Sequence, residues 1–216
     1  FSADWSVTGP VMADKYQPYL EKGLVGSIFN ATSVVDIRKL QKIAVEQTRL
    51  GIPILFGQDV IHGYKTIFPI PLAESCSWDL ALMRKTAELA AREASADGIN
   101  WTFAPMVDIT RDARWGRAME GAGEDPYLGS LIAEARVKGF QGGDNWQTLS
   151  SPHTLLACGK HFAGYGAAES GKDYNTAELS MHTLRNVYLP PYEATLNAGV
   201  GSIMASLNEI NGVPAT

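Results

Sequence analysis

The sequence predicts an α/β fold of the TIM-type (β/α)8 barrel class, incomplete, with about six of the eight strands present. Three observations lead there. Short apolar runs alternate with amphipathic stretches, which is the pattern of β/α units around a parallel sheet. No glycine-rich dinucleotide fingerprint follows an early strand: Gly164, Gly166 and Gly171 lack its spacing, so a doubly wound sheet loses its best support. Polar residues recur just past the carboxyl end of successive apolar runs, and in a barrel those ends share one mouth.

The apolar runs are Leu24 to Phe29, Ile54 to Gly57, Ile99 to Ala104, Leu155 to Cys158 and Gly201 to Ala205, with Phe1 to Trp5 as a doubtful further strand. Between them, Ser33 followed by Asp36 makes a capping-box-like start for a helix carrying Ile37, Leu40 and Ala44. Leu80, Met83, Ala87, Ala90 and Ala94 repeat at spacings of three and four until Gly98, which can take the positive φ that ends a helix. Asp125-Pro126 opens a helix with Leu128, Leu131, Ile132 and Ala135 on its stripe, and Ser180 opens another that Pro190-Pro191 interrupts. These stripes are read as core. No further strand is expected at Asn211-Gly212-Val213-Pro214, and residues 1–216 are expected to form one barrel domain truncated at both ends.

A content of 45% hydrophobic and 19% charged residues excludes a disordered chain. The net charge of −5, with no basic stripe, argues against nucleic acid or an anionic membrane surface as partner. No apolar run approaches the ~20 residues of a membrane span. The opening Phe1-Ser2-Ala3-Asp4-Trp5 has no basic-then-apolar leader, so any export signal is expected to be removed or to lie outside this chain. Cys76 and Cys158 make no disulfide framework; both are expected to be packed thiols.

The polar residues gather by strand. Asp59 and His62 follow the second apolar run, Arg111, Arg114, Trp115, Arg117 and Glu120 follow the third, Lys160 and His161 end the fourth, and Asn208 follows the fifth. The stretch from Met106 to Gly123, about eighteen residues without helical or strand period, is longer than most connections in compact domains. Its three arginines stand against Asp108, Asp112, Glu120, Glu124 and Asp125, so two are assigned to internal ion pairs and one to a ligand.

Asp with Lys, Arg and His offers sugar hydroxyls both acceptors and donors, and an aromatic face such as Trp115 suits a ring. A plainer alternative is a lysine paired to a structural carboxylate beside a loop-capping histidine. The chain has four histidines and no HExxH, so no metal and no cofactor is expected. Another chemistry open to Lys160 is a Schiff base of the aldolase type, with His161 and Asp59 moving protons.

Gly57-Gln58-Asp59-Val60-Ile61-His62-Gly63, Phe68-Pro69, Ala104-Pro105-Met106-Val107-Asp108, Trp115-Gly116-Arg117 with Glu120-Gly121, Gly123-Glu124-Asp125-Pro126, Gly159-Lys160-His161-Phe162 and Ser206-Leu207-Asn208 with Asn211-Gly212-Val213-Pro214 together resemble glycoside hydrolase family 3. The likeness runs in order over nearly the whole chain. Residues 166–175 and 204–216 are similar to its bacterial periplasmic β-glucosidase type. The resemblance implies a retaining, exo-acting hydrolase that removes terminal β-linked glucose and resides in the periplasm or is secreted.

It further implies that Asp59 accepts from hydroxyls of the terminal sugar, that Arg117, Lys160 and His161 donate to them, and that Trp115 and Glu120 support the loop. Glu169 and Asp173 lie within reach. Many members carry a Tyr where this chain has Leu207. The resemblance places the nucleophilic Asp after the Asn-Gly-x-Pro segment and the acid/base further on, so neither catalytic carboxylate is expected within residues 1–216. The partners implied are an oligosaccharide or β-glucoside and the remainder of its own chain. Alone, the chain is expected to be an inactive, non-catalytic sugar-binding piece with unpaired strand edges and a tendency to aggregate.

Overall fold

The computed structural model describes residues 17–216; the doubtful strand at Phe1 to Trp5 lies outside the described residues. The elements in order are α1 (Gln17–Glu21), β1 (Ser27–Phe29), α2 (Val34–Lys42), β2 (Leu55–Gln58), α3 (Pro71–Ser75), α4 (Leu80–Ala96), β3 (Trp101–Thr102), α5 (Pro126–Gln141), β4 (Cys158–Phe162), α6 (Met181–Thr183), α7 (Pro190–Asn197), β5 (Ser202–Ala205), β6 (Glu209–Ile210) and β7 (Val213–Pro214).

Helix starts follow the local chemistry. Ser33 Oγ accepts from Asp36 N at 3.3 Å, Asp79 Oδ1 from Leu82 N at 2.9 Å and Asp125 Oδ1 from Leu128 N at 2.7 Å, each satisfying a donor that the first turn leaves open. Pro126 stands at the first turn of α5, where its missing N–H costs nothing. Gly98, at φ 93°, follows the end of α4. The helix begun at Ser180 passes through a π turn over Leu184–Tyr188 before the prolines start α7.

β1, β2 and β3 form a parallel sheet in that order, with Ile28 opposite Phe56 and Gln58 opposite Thr102. β4 pairs in parallel with β5, Gly159 opposite Ile203 and Lys160 opposite Met204. Parallel bridges between Trp101 and Leu156 and between Met106 and Lys160 seat β4 beside β3. The five strands therefore lie side by side in chain order. A doubly wound sheet reverses its order at a switch point, and none occurs among them; together they make one wall of parallel strands.

The core lies between this wall and the helices, around Ile28, Ile54, Phe56, Ile99, Phe140 and Leu155. Ala87, Ala90, Ala91 and Ala94 make a small-residue face on α4. Against it, a Cβ on Gly139 of α5 would lie 2.5 Å from Arg84 O, so α4 and α5 approach closer than any larger residue permits.

Several expectations need correction. The fourth strand does not stop at Cys158 but continues through Lys160 and His161, because β5 and the Met106 bridge keep pairing with it. The third shrinks to Trp101–Thr102. On α5, Leu128, Leu131 and Ala135 are only half-buried, and the core face is Gly129, Ile132, Ala133, Arg136, Val137 and Phe140. Asn211-Gly212 is not the end of regular structure: both residues have positive φ, 52° and 78°, and they turn β6 into antiparallel β7. Cys158 is buried as expected, but Cys76 is exposed; both thiols are free.

Candidate functional site

β4 carries two of the four predicted site residues. Lys160 Nζ donates to Asp59 Oδ1 at 2.7 Å, and the two side chains contrast in exposure, 4% for the lysine and 59% for the aspartate. The ammonium is thus held inside the wall while the carboxylate leans outward with its second oxygen unbonded among the described residues. Asp59 sits just past β2, as the strand-end pattern requires.

His161 is 2% exposed, and Asp108 fixes it twice. Asp108 Oδ2 accepts from the His161 backbone N–H at 2.9 Å and lies 2.8 Å from its Nδ1. The Tyr192 hydroxyl lies 2.9 Å from Asp108 Oδ1 and 2.6 Å from the His161 carbonyl, so the histidine is gripped at backbone and ring. With Nδ1 facing Asp108, Nε2 is the nitrogen left for another partner. The register of β4 against β5 shifts between Lys160 and Phe162. The peptide bonds Lys160–His161 and Phe162–Ala163 are cis.

Arg117 pairs with Glu120 through two hydrogen bonds of 2.6 and 2.8 Å, and its guanidinium lies 5.6 Å over the Tyr165 ring. Burial opposes the Arg117 charge, but the Glu120 hydrogen bonds and charge outweigh it and raise the guanidinium above its ordinary value. Burial likewise pushes the Glu120 carboxyl up, yet Arg117, with the charges of Lys160 and His161, holds it below the usual carboxylate range. Arg117 and His161 both lie against the Tyr165 ring, the guanidinium over its face and the imidazole at its edge.

Tyr165 is the fully buried hub beneath them. Its ring meets His161 edge-to-face at 4.9 Å and Trp115 at 5.1 Å. Burial, then the neighbouring Asp173, push its hydroxyl above the ordinary tyrosine value. Trp115 is 2% exposed and donates Nε1–H to Asp173 Oδ1 at 2.8 Å. Of its two sequence readings, a face for a ring and a support for the loop, this burial fits the support. Two glycines make this loop contact possible: a Cβ on Gly166 would lie 2.1 Å from Ile109 O, and one on Gly171, at φ 64°, 2.9 Å from Trp115 N.

Other residues at the strand ends serve their own loops. His62 Nδ1 lies 3.0 Å from Phe68 O, closing residues 62–68. Asn208 accepts from Ser206 Oγ and donates to Glu209 O. Arg114 pairs with Asp112, lowering that carboxyl to about 2, and Arg111 lies against the Tyr188 hydroxyl. All three arginines thus have a partner within the protein, and Arg117, bound to Glu120, is the one over the Tyr165 ring. No group of three or more His, Cys, Asp or Glu among the described residues is arranged to hold a metal.

Sequence reasoning missed Arg136. Buried at 4%, it donates to Glu74 Oε2 and to the Ile61 carbonyl, tying α5 to α3 and to the segment just beyond Asp59. Desolvation pushes its guanidinium down from its ordinary value. A charged residue at a core position of the α5 stripe was the available signal.

Together these features define an α/β protein with a polar site at the carboxyl ends of parallel strands. The chain belongs to glycosyl hydrolase family 3: the model of that family's N terminal domain matches residues 6–216. A periplasmic beta-glucosidase of Salmonella typhimurium is 47% identical over 197 residues, covering 91% of this chain and 25% of the relative. A β-glucosidase from Listeria innocua, solved in complex with glucose, superposes with a TM-score of 0.85 at 47% identity, covering 89% of this chain and 27% of that one. A mutant of the Listeria enzyme has been solved in complex with laminaribiose, with the same TM-score of 0.85. The chain therefore spans about a quarter of the length of these relatives.

Proposed function

We propose that this chain supplies the terminal-sugar subsite of an exo-acting, retaining β-glucosidase. The observation that carries the reading is the Asp59–Lys160 pair, in which a buried ammonium fixes one carboxylate oxygen and leaves the other without a partner among the described residues. Asp59 accepts from sugar hydroxyls; Lys160, Arg117 and His161 donate. Hydroxyls of a neutral ring need both, and the glucose and laminaribiose complexes of the Listeria enzyme support that ligand class.

In this reading, residues 1–216 form one domain, part of a (β/α)8 barrel that the remainder of the protein closes. Retaining hydrolysis needs two carboxyl groups about 5 to 5.5 Å apart. At this mouth Glu120 is bound to Arg117 and Asp108 to His161, while Asp59 holds Lys160. The nucleophile and acid/base are assigned to residues outside this chain. The periplasmic relative supports a periplasmic or secreted location, and no helix among the described residues is long and apolar enough to cross a membrane.

An aldolase-type Schiff base at Lys160 is the competing chemistry. The hydrogen bond to Asp59 engages the amine as a donor, which favours binding over nucleophilic attack. Calorimetric titration of the full-length protein with glucose, with and without Asp59→Ala, tests the subsite: wild-type binding lost in the variant is expected, and equal binding by both refutes it. Borohydride trapping of a carbonyl substrate on Lys160 would establish the competitor.

A further inference from the structure

Asp108 and His161 are buried together, with 1% and 2% of their side chains exposed. Asp108 cannot turn away from the ring, because Oδ2 also takes the His161 backbone N–H at 2.9 Å and the Tyr192 hydroxyl stands 2.9 Å from Oδ1. Nor can the ring flip: that would carry a carbon to the place where Nδ1 meets Oδ2 at 2.8 Å. A carboxylate approached in this way acts only as an acceptor, so Nδ1 carries a proton. The other nitrogen, Nε2, has no partner among the described residues and is not among the polar atoms buried without a hydrogen bond, so it reaches open space.

A single proton cannot serve both nitrogens. For His161 to donate to a sugar hydroxyl it must do so from Nε2, and the ring then holds a second proton. The charges around it fit this. Asp59 offsets Lys160 and Glu120 offsets Arg117, while burial keeps the Tyr165 and Tyr192 hydroxyls neutral. Asp173, against the Tyr165 hydroxyl, takes the Trp115 Nε1–H. Of Asp59, Glu120 and Asp108, only Asp108 has no lysine or arginine against it among the described residues. A buried charge without a counter-ion is strongly disfavoured, and a ring with two protons supplies one.

We propose that Asp108 is a positioning residue of the sugar subsite, holding His161 as a doubly protonated ring with Nδ1–H on Asp108 and Nε2–H turned to the sugar. This role presupposes the proposed subsite, in which His161 is a donor. Asp108 does not touch the sugar; it acts through the angle and the charge of the ring.

The test is the pH dependence of glucose binding by the full-length protein, followed by calorimetry. Loss of the Nε2 proton turns a donor into an acceptor, so affinity is expected to fall on the alkaline side, and His161→Gln, whose amide donates at every pH, is expected to lack that fall. Asp108→Asn keeps an oxygen for the backbone N–H and for Nδ1–H without the charge. It is expected to move the fall about one to three pH units lower, and to move nothing in the His161→Gln background. Profiles of Asp108→Asn and the unmodified protein that coincide, or an alkaline fall that persists in His161→Gln, overturn the proposal. If Asp108→Asn fails to fold, calorimetry of the unmodified protein in two buffers of different ionisation enthalpy decides: proton uptake with glucose is expected to rise from none toward one per site across the fall, and no uptake at any pH overturns the doubly protonated ring. Glucose that fails to bind the unmodified protein overturns the subsite, and the role of Asp108 with it.

Discussion

Lys160 and Asp59 form an ion pair of unequal partners: the ammonium is buried and the carboxylate more than half exposed, at an Nζ to Oδ1 distance of 2.7 Å. The lysine cannot turn to water when its partner is lost. Asp59→Ala therefore strands a buried donor, a cost of about 1–3 kcal/mol, whereas Lys160→Met leaves a carboxylate that water already reaches. Urea unfolding of the full-length protein should show the aspartate variant less stable than the lysine variant, although both abolish glucose binding.

Asp108 concentrates three contacts on residue 161 and Tyr192. Asp108→Ala leaves the His161 backbone N–H and Nδ1 and the Tyr192 hydroxyl without that acceptor, inside a site of almost no exposure. The Tyr192 hydroxyl keeps the His161 carbonyl as acceptor, so two donors are orphaned, and a destabilisation of about 2–6 kcal/mol is expected at about 1–3 kcal/mol for each. Asp108→Asn keeps an oxygen for the backbone N–H and should cost less than half as much by the same unfolding measurement.

The Arg117–Glu120 pair makes stability depend on acid. Glu120 is held below its ordinary value of 4.5 in the folded protein, so its contribution is complete above that value, declines as pH falls through the folded pKa, and vanishes below both. Between about pH 5 and pH 3 the unmodified protein should lose stability more steeply than Glu120→Gln, in denaturant unfolding at each pH. Parallel curves would show that the pair does not contribute.

Arg136 and Glu74 bury an ion pair, each side chain 5% exposed. Removing either alone leaves a charge without its partner, at about 3–5 kcal/mol. The double variant Arg136→Met with Glu74→Gln should lose much less than the sum of the singles, as contacting residues do. The same cycle read by glucose affinity reports how far the Ile61 carbonyl, which Arg136 holds, steadies Asp59.

Gly166→Ala would drive a Cβ to 2.1 Å from the Ile109 carbonyl oxygen. A backbone oxygen cannot swing away as a side chain does, so the loop itself must move. A stability loss of about 1–3 kcal/mol is expected in thermal unfolding.

Strand order and helix starts were legible because they depend on local signals: apolar runs mark β1, β2, β4 and β5, and Ser33 and Asp125 cap the helices α2 and α5. Strand ends were not, since the reach of β4 through His161 depends on pairing with residues far along the chain. Of the four expected site residues, Lys160 meets Asp59, and Arg117 and His161 share the Tyr165 ring, but their supports did not show. Asp108, Tyr165, Tyr192 and Arg136 act through contacts separated by tens of residues, and in the sequence they look like ordinary loop and core positions. The β6–β7 hairpin is different: its Asn-Gly signal was present and the two strands were too short to register.

Each donor at the mouth has a carboxylate of its own: Lys160 has Asp59, Arg117 has Glu120, and His161 has Asp108. Such a recess offers directional donors and acceptors without a surplus field, so it rewards the pattern of hydroxyls on a guest and is indifferent to its ionic character. Affinity for an uncharged sugar should scarcely vary with ionic strength, and adding a phosphate to that sugar should bring no gain.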